Sequence, residues 1–162
     1  MFTKFLIREF TDKDSKSIFF LILDIVEKEF GIKVDLNGLD SDLIHFGEYY
    51  NQPSGGCLYV AEIEDSNRII GTAAIRNLVQ FHLVCELKRM FVSKEHRKLG
   101  IGQGLLEVTL DFARKAGYSK IFLYSSSELK AARNLYLKNG FVDIQRYNDD
   151  YRADMFMQRH LR

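Results

Sequence analysis

ELKRMFVSKEHRKLGIGQGLL, residues 86–106, places a strand, a glycine-rich turn and a helix start within twenty-one positions. The strand is CELKRMFV, the turn carries Gly100, Gly102 and Gly104, and apolar residues at helical spacing follow from Leu105. Such a junction is built to receive an anion. Glycines let the backbone approach closely, and the free N–H groups of a helix start lie at the positive end of its macrodipole.

The rest of the chain reads as support for that stretch. At 162 residues it is expected to be one domain, 1–162, able to bury roughly 70% of the surface its unfolded form exposes. Lys and Arg number 23 against 22 Asp and Glu, so no global field draws the chain to nucleic acid or a membrane. The segment MFTKFLIREF lacks the pattern of a leader, and no apolar run reaches about 18 residues, so a cytoplasmic protein is expected. Cys57 and Cys85 sit in separate apolar runs without metal-ligand spacing and are expected to be buried free thiols. The four histidines, His45, His82, His96 and His160, form no metal motif.

In chain order, Lys4–Glu9 reads as a strand, and Thr11 caps a helix carrying Ile18, Leu21, Ile22, Ile25, Val26 and Phe30, which Gly31 stops. A short helix near Ser41–Phe46 leads into GEYYNQPSGG, residues 47–56, a polar and aromatic loop expected to rim a substrate site as a lid. Cys57–Ile63 and Arg68–Leu78 form a hairpin, and His82–Val92 is the long third strand. The helix from Ile101 ends at Ala116 and Gly117, and Ser119–Ser125 is a buried strand able to pair parallel after that crossover. Ser127 is the expected cap of a helix over Glu128–Asn139, and Phe141–Arg146 and Ala153–His160 are the last two strands.

Three glycine-rich phosphate turns compete for residues 97–104. A P-loop needs Lys then Ser or Thr after its last glycine, whereas Gln103, Gly104 and Leu105 follow Gly102. A dinucleotide fingerprint would need Gly or Ala at Leu105 and a place near the first strand of a parallel sheet. What remains is Arg97, two residues, Gly100, one residue, Gly102. With MFVSKEHRKLGIGQGLL before it and AARNLYLKNGF after it, the sequence resembles the GNAT superfamily of acyl-CoA-dependent N-acetyltransferases over nearly its whole length. The resemblance implies an α+β fold, a central mixed, mostly antiparallel sheet of six to seven strands flanked by about four helices. It also implies that the strand of Met90 splays from that of Phe122.

From the resemblance, acetyl-CoA is the expected cofactor and coenzyme A the product. Its pyrophosphate would lie on the backbone of Leu99, Gly100, Ile101, Gly102, Gln103 and Gly104, with Arg97 and Lys98 adding charge. Met90, Phe91 and Val92 would meet the acetyl carbonyl and pantetheine arm, and Ala132 and Tyr136 the other side. Many members carry an asparagine at the start of the second helix; here Ser127 stands nearby and is expected to substitute through its hydroxyl. Tyr136 is the candidate general acid, with an aromatic anchor as its alternative role. Glu86 is the candidate general base, placed by alternation on the face of Met90, with a salt bridge to Lys88 or Arg76 as its alternative.

Lys88 and Arg89 are expected on opposite strand faces, with Arg76 on the neighbouring strand. A cation beside Tyr49 or Tyr50 would suit an acceptor that carries a carboxylate. The expected reaction is acetyl transfer to a primary amine of a small molecule such as an amino acid. Two rivals stand beside it, a non-catalytic acyl-CoA binding module and a protein lysine or N-terminal acetyltransferase. The alternating segment 153–160 is a candidate edge for pairing two copies into a homodimer.

Overall fold

The computed structural model describes residues 3–162. Strand β1 (Phe5–Glu9) leads to helix α1 (Ser15–Leu23), which runs on through a π-helical segment over Asp24–Glu29. Thr11 and Asp14 form a capping box ahead of α1, and Gly31, in the left-handed region at φ 67°, ends the segment. A 3-10 turn over Ser41–Ile44 and the single turn α2 (Phe46–Tyr49) precede strands β2 (Cys57–Ile63), β3 (Ile69–Asn77) and β4 (Val84–Val92). Then come α3 (Ile101–Lys115), β5 (Lys120–Ser125), α4 (Lys130–Lys138), β6 (Val142–Asp143) and β7 (Met155–His160).

The seven strands form one sheet in the order β1-β2-β3-β4-β5-β7-β6. Every neighbouring pair is antiparallel except β4 and β5, which pair in parallel through Val84–Glu86 and Lys120–Phe122. Beyond Glu86 the two strands part, and the gap becomes a cleft. One face of the sheet carries α3, whose Leu105, Leu106, Leu110 and Ala113 recur at helical spacing and pack on Ile70, Ala73, Ile75, Cys85 and Leu87. Fully burying each such leucine contributes about 2 kcal/mol. On the other face Ile18, Ile22 and Val26 of α1 and its extension meet Leu58, Val60 and Ala74. Cys57 and Cys85 are buried and free, and burial pushes the Cys57 thiol up to about 12.

The structure corrects the sequence expectations in four places. Phe141–Arg146 narrows to a two-residue strand, because Arg146 turns back to donate to the Asp150 and Ala153 carbonyls. Strand β7 is interior, held by β5 along all six residues and by β6 at Met157 and Gln158, so it is no free edge of the sheet. Ser127 caps no helix: its N–H and hydroxyl both donate to Asp154, at 2.7 and 2.6 Å, and α4 starts later from Leu129.

The fourth correction concerns β4. Thr72 opposes Phe91 while Ala74 opposes Lys88, so β4 holds one residue more than β3, and Arg89 takes up the excess at φ 53°. Thr72 Oγ1 fixes this β-bulge by donating to the Arg89 carbonyl at 2.7 Å. A bulge resets the alternation of side chains. Met90 and Val92 therefore join the α3 face with Leu87, and Glu86 lies on the opposite one.

Candidate active site

Between the separated strands lies a cleft of about 680 Å³, walled by β4 from Leu87 to Val92, by Leu123–Ser126, by α4, and by Ile25, Val26, Glu29, Phe30 and Ile32. One end meets the start of α3. There Lys98 and Gly100 both adopt left-handed backbone, at φ 63° and 83°. A lysine bears such a conformation at a cost of roughly 1 kcal/mol, a strain that collects at sites where the backbone must be aimed.

The N–H groups of Ile101, Gly102 and Gln103 begin α3 and find no acceptor among the described residues, whereas that of Gly104 already donates to the Gly100 carbonyl. They form the free positive end that an anion needs. A Cβ on Gly102 would sit 3.6 Å from Leu135, 3.8 Å from Met90 and 3.9 Å from Val92, which leaves room for a methyl group and little more. Gly104 has another use: a Cβ there would meet Ile7 at 2.8 Å, so this glycine admits β1 against α3.

Arg97, expected to meet phosphate, donates from Nε to the Val92 carbonyl at 3.0 Å and grips Glu29 with both terminal nitrogens. Gln103 bridges to Asn139 across the starts and ends of α3 and α4, at 2.8 and 3.0 Å. On the facing wall Tyr136 is 5% exposed and packs against Phe141 with the rings tilted by 59° and centroids 5.6 Å apart. Its hydroxyl has no hydrogen-bond partner among the described residues. It is not sealed in the core either, where the Asn148 side-chain nitrogen is the one unpartnered buried atom among them. Burial pushes the Tyr136 phenol well above its ordinary value, so it stays protonated.

Of the residues singled out in the sequence, Lys88, Met90, Phe91, Val92, Arg97, Lys98, Gly100, Ile101, Gly102, Gln103, Ala132 and Tyr136 line this cleft. Glu86, Leu99, Gly104, Ser127, Tyr49, Tyr50 and Arg76 do not. Glu86 is fully buried, and its carboxylate takes Arg76 Nε at 2.8 Å on one oxygen and the Tyr147 hydroxyl at 2.8 Å on the other. The bulge places it away from Met90, and its alternative role, an ion pair with Arg76, is the one the geometry gives it. Tyr50 is also buried, donating to Asp42, while most of the loop 47–56 stays exposed and none of it lines the cleft. That loop is no lid; the wall it was expected to supply comes from residues 25–32.

Arg89 lines the cleft, and so does Lys88. Its Nζ lies 3.2 Å from the Tyr124 hydroxyl, and burial, then the fields of Arg89 and Arg76, bring its ammonium down to about 8. Arg89 does not sit apart on the other face. Its guanidinium takes Asp42 at 2.5 and 2.8 Å and Asp40 at 3.0 Å, and Asp42 also acts on Lys88. Asp40 is shared with Arg152, which grips Asp150 as well. Asp40, Asp150, Arg152 and Tyr124 all line the cleft and carried no signal in the sequence, because the contacts that join Arg152 to Asp40 and Tyr124 to Lys88 bridge distant segments.

A mixed sheet whose one parallel pair opens onto a cleft, with a bare helix start at the cleft's end, is an arrangement with room for an extended ligand and free N–H groups for an anion. Comparison with known proteins makes this specific. The family model described as the acetyltransferase (GNAT) family matches residues 21–141, and the chain belongs to that family. An acetyltransferase of GNAT family from Staphylococcus aureus Mu50 superposes with a TM-score of 0.89 at 27% identity, covering 98% of this chain and 100% of that one. The yncA structure of Salmonella typhimurium, solved with its cofactor acetyl-CoA, superposes at 0.77 with 22% identity, over 98% of this chain and 95% of that one. N-acetylaspartate synthetase of Xenopus tropicalis is 34% identical over 116 residues, covering 69% of this chain and 42% of that protein. The chain spans about half the length of the curated relatives it matches.

Among the described residues no helix is long and apolar enough to cross a membrane, and no His, Cys, Asp and Glu cluster could hold a metal.

Proposed function

We propose that this chain is an N-acetyltransferase domain that moves an acetyl group from acetyl-CoA to a primary amine of a small molecule. The observation that carries the proposal is the free α3 start at one end of the cleft, with an unpartnered tyrosine hydroxyl on its wall. The residues fit the cofactor. The N–H groups of Ile101, Gly102 and Gln103 would hold its pyrophosphate, Lys98 would add charge, and the apolar wall of Met90, Val92, Ala132 and Leu135 suits a pantetheine arm. When bound, acetyl-CoA supplies an activated thioester and leaves as coenzyme A.

The chain's own part in the chemistry is positional and electrostatic. Past Glu86, β4 has no partner on its β5 side, so main-chain groups near Met90 are open to the cleft and can stabilise an oxyanion. Tyr136, protonated and facing the cleft, can give its proton to a departing thiolate. Glu86, with both oxygens engaged, has the role of holding Arg76 and Tyr147. The small-molecule reading is supported by the relative named N-acetylaspartate synthetase and by the charged groups that line the cleft.

Free-thiol release over a panel of amines, together with calorimetry of acetyl-CoA binding, tests the proposal. Gly102→Ala should keep acetyl-CoA affinity within a few-fold, and Gly102→Leu should remove it by filling the space between Met90 and Leu135. Unchanged affinity in Gly102→Leu would refute the site. Acetyl-CoA binding with no thiol release for any amine or peptide would leave a binding module, and turnover confined to peptides would make the acceptor a protein.

A further inference from the structure

Eight charged side chains gather where β4 bulges, and seven of them are mutually paired. Arg76 holds Glu86, with Nε at 2.8 Å. Arg89 holds Asp42 and Asp40, and Arg152 holds Asp40 at 2.8 Å and Asp150 at 2.9 Å. Lys88 is the exception. No carboxylate lies within ion-pair distance of its Nζ among the described residues, and it rests over the Tyr124 ring, 5.5 Å from the centroid, with the Tyr124 hydroxyl as its hydrogen-bond partner. An ammonium removed from water without a counter-ion is costly, and the cost ends when an anion arrives.

We propose that Lys88 Nζ anchors a carboxylate of the acceptor, so that the amine acetylated here belongs to an amino carboxylic acid. The inference rests on the acetyl-transfer reading above and names its second substrate class. Three features of the cleft carry it. Lys88 and Tyr124 are both on the wall, so the anchor is reached from the same space as Tyr136. The three guanidiniums already have carboxylates and would have to break ion pairs to bind another. Four cations against four carboxylates leave the neighbourhood neutral, which suits a ligand bringing one charge of each sign.

The ammonium, held down at about 8 by burial, Arg89 and Arg76, is also poised to report the event. The groups facing it are Glu86 and Arg89 from β4, Arg76 from β3, Tyr124 from β5, Asp42 from the turn after Asp40, and Asp150 from the segment before β7. A carboxylate at Nζ raises the affinity of Lys88 for its proton. Binding near pH 8 therefore takes up protons, and affinity falls as pH climbs past 8.

The test compares amino acids with the amines left by their decarboxylation, L-ornithine with putrescine and L-phenylalanine with phenethylamine among them. The acids should exceed the amines by about 100-fold in kcat/KM, and Lys88→Met should raise the KM for the acid by about as much while acetyl-CoA affinity holds. Lys88→Arg should restore binding but abolish the proton uptake, measured calorimetrically at pH 8 in buffers of different ionisation heat. Preference for the amines, or a KM for the acid unmoved in Lys88→Met, overturns the proposal. So does a loss of kcat at constant KM, which would make Lys88 a base. If acetyl-CoA itself does not bind, the acetyl-transfer reading fails separately. Titrating the amino acids into the protein then still decides the anchor, since no heat and no proton uptake would refute it.

Discussion

Tyr136 stands on α4, packed at a tilt against Phe141 and lining the cleft. A purely structural aromatic at this position would be served equally well by phenylalanine, because the hydroxyl contributes no hydrogen bond within the described residues. Replacing it by Phe therefore separates chemistry from packing. The expected result is a melting temperature close to that of the native protein, acetyl-CoA affinity unchanged within about threefold, and kcat lower by roughly 100-fold or more, as for a lost general acid. Steady-state kinetics with calorimetry checks it, and full turnover would return Tyr136 to the role of anchor. Both Tyr136 and Glu86 have side chains suited to proton transfer, so residue type alone did not separate them. What separates them is neighbours: Glu86 spends both oxygens on Arg76 and Tyr147, and those partners come from β3 and from the segment after β6.

At the scale of elements, the strand, turn and helix over 84–115 were readable because apolar spacing and three glycines specify them locally. The β-bulge at Arg89 was not. It depends on how β4 meets β3, through a hydroxyl on Thr72, seventeen residues away, and a single extra residue was enough to reverse the face assigned to Met90. The cleft's outer wall was also hidden, since Ile25, Val26 and Phe30 read simply as a core stripe. That wall carries Glu29, whose ion pair with Arg97 ties the end of the first helix to the anion-binding turn. A phosphate drawn to Arg97 must compete with this carboxylate. Glu29→Gln should then tighten acetyl-CoA binding by about two- to fivefold, the scale of a partly exposed ion pair, and strengthen its dependence on Arg97. Calorimetry of Glu29→Gln beside Arg97→Gln tests this, and weaker binding in Glu29→Gln would show that the pair supports the turn instead of shielding it.

Across the whole molecule, the order of elements followed from local signals, whereas the polar network at the cleft joins Asp40 and Asp42, Arg89 of the bulge, and Asp150 and Arg152 just before β7. Asp40 and Arg152 are 112 positions apart, and no periodicity or motif connects them. The network has a consequence for stability that can be signed. Burial works against the Asp40 carboxylate, but the Arg152 hydrogen bond, the Asp35 N–H and Arg89 outweigh it and hold it at about 2, against 3.8 for a free side chain. Asp42 and Asp150 are shifted the same way, each against its own burial, by Arg89 and by Arg152. A depressed acid contributes stability that is complete above its unfolded value and is lost as pH falls through its folded one. For Asp40 this amounts to roughly 2 kcal/mol, present above pH 4 and gone near pH 2. Urea unfolding should accordingly give a midpoint that is flat in the Asp40 contribution from pH 7 to 5 and falls steeply below 4. Asp40→Asn should be less stable than the native chain by about 2 kcal/mol at pH 6, with the difference shrinking towards pH 2 as the native carboxylate takes up its proton. A difference that stayed constant with pH would mean that Asp40 acts through hydrogen bonding alone, and that its charge does not join the bulge to the segment before β7.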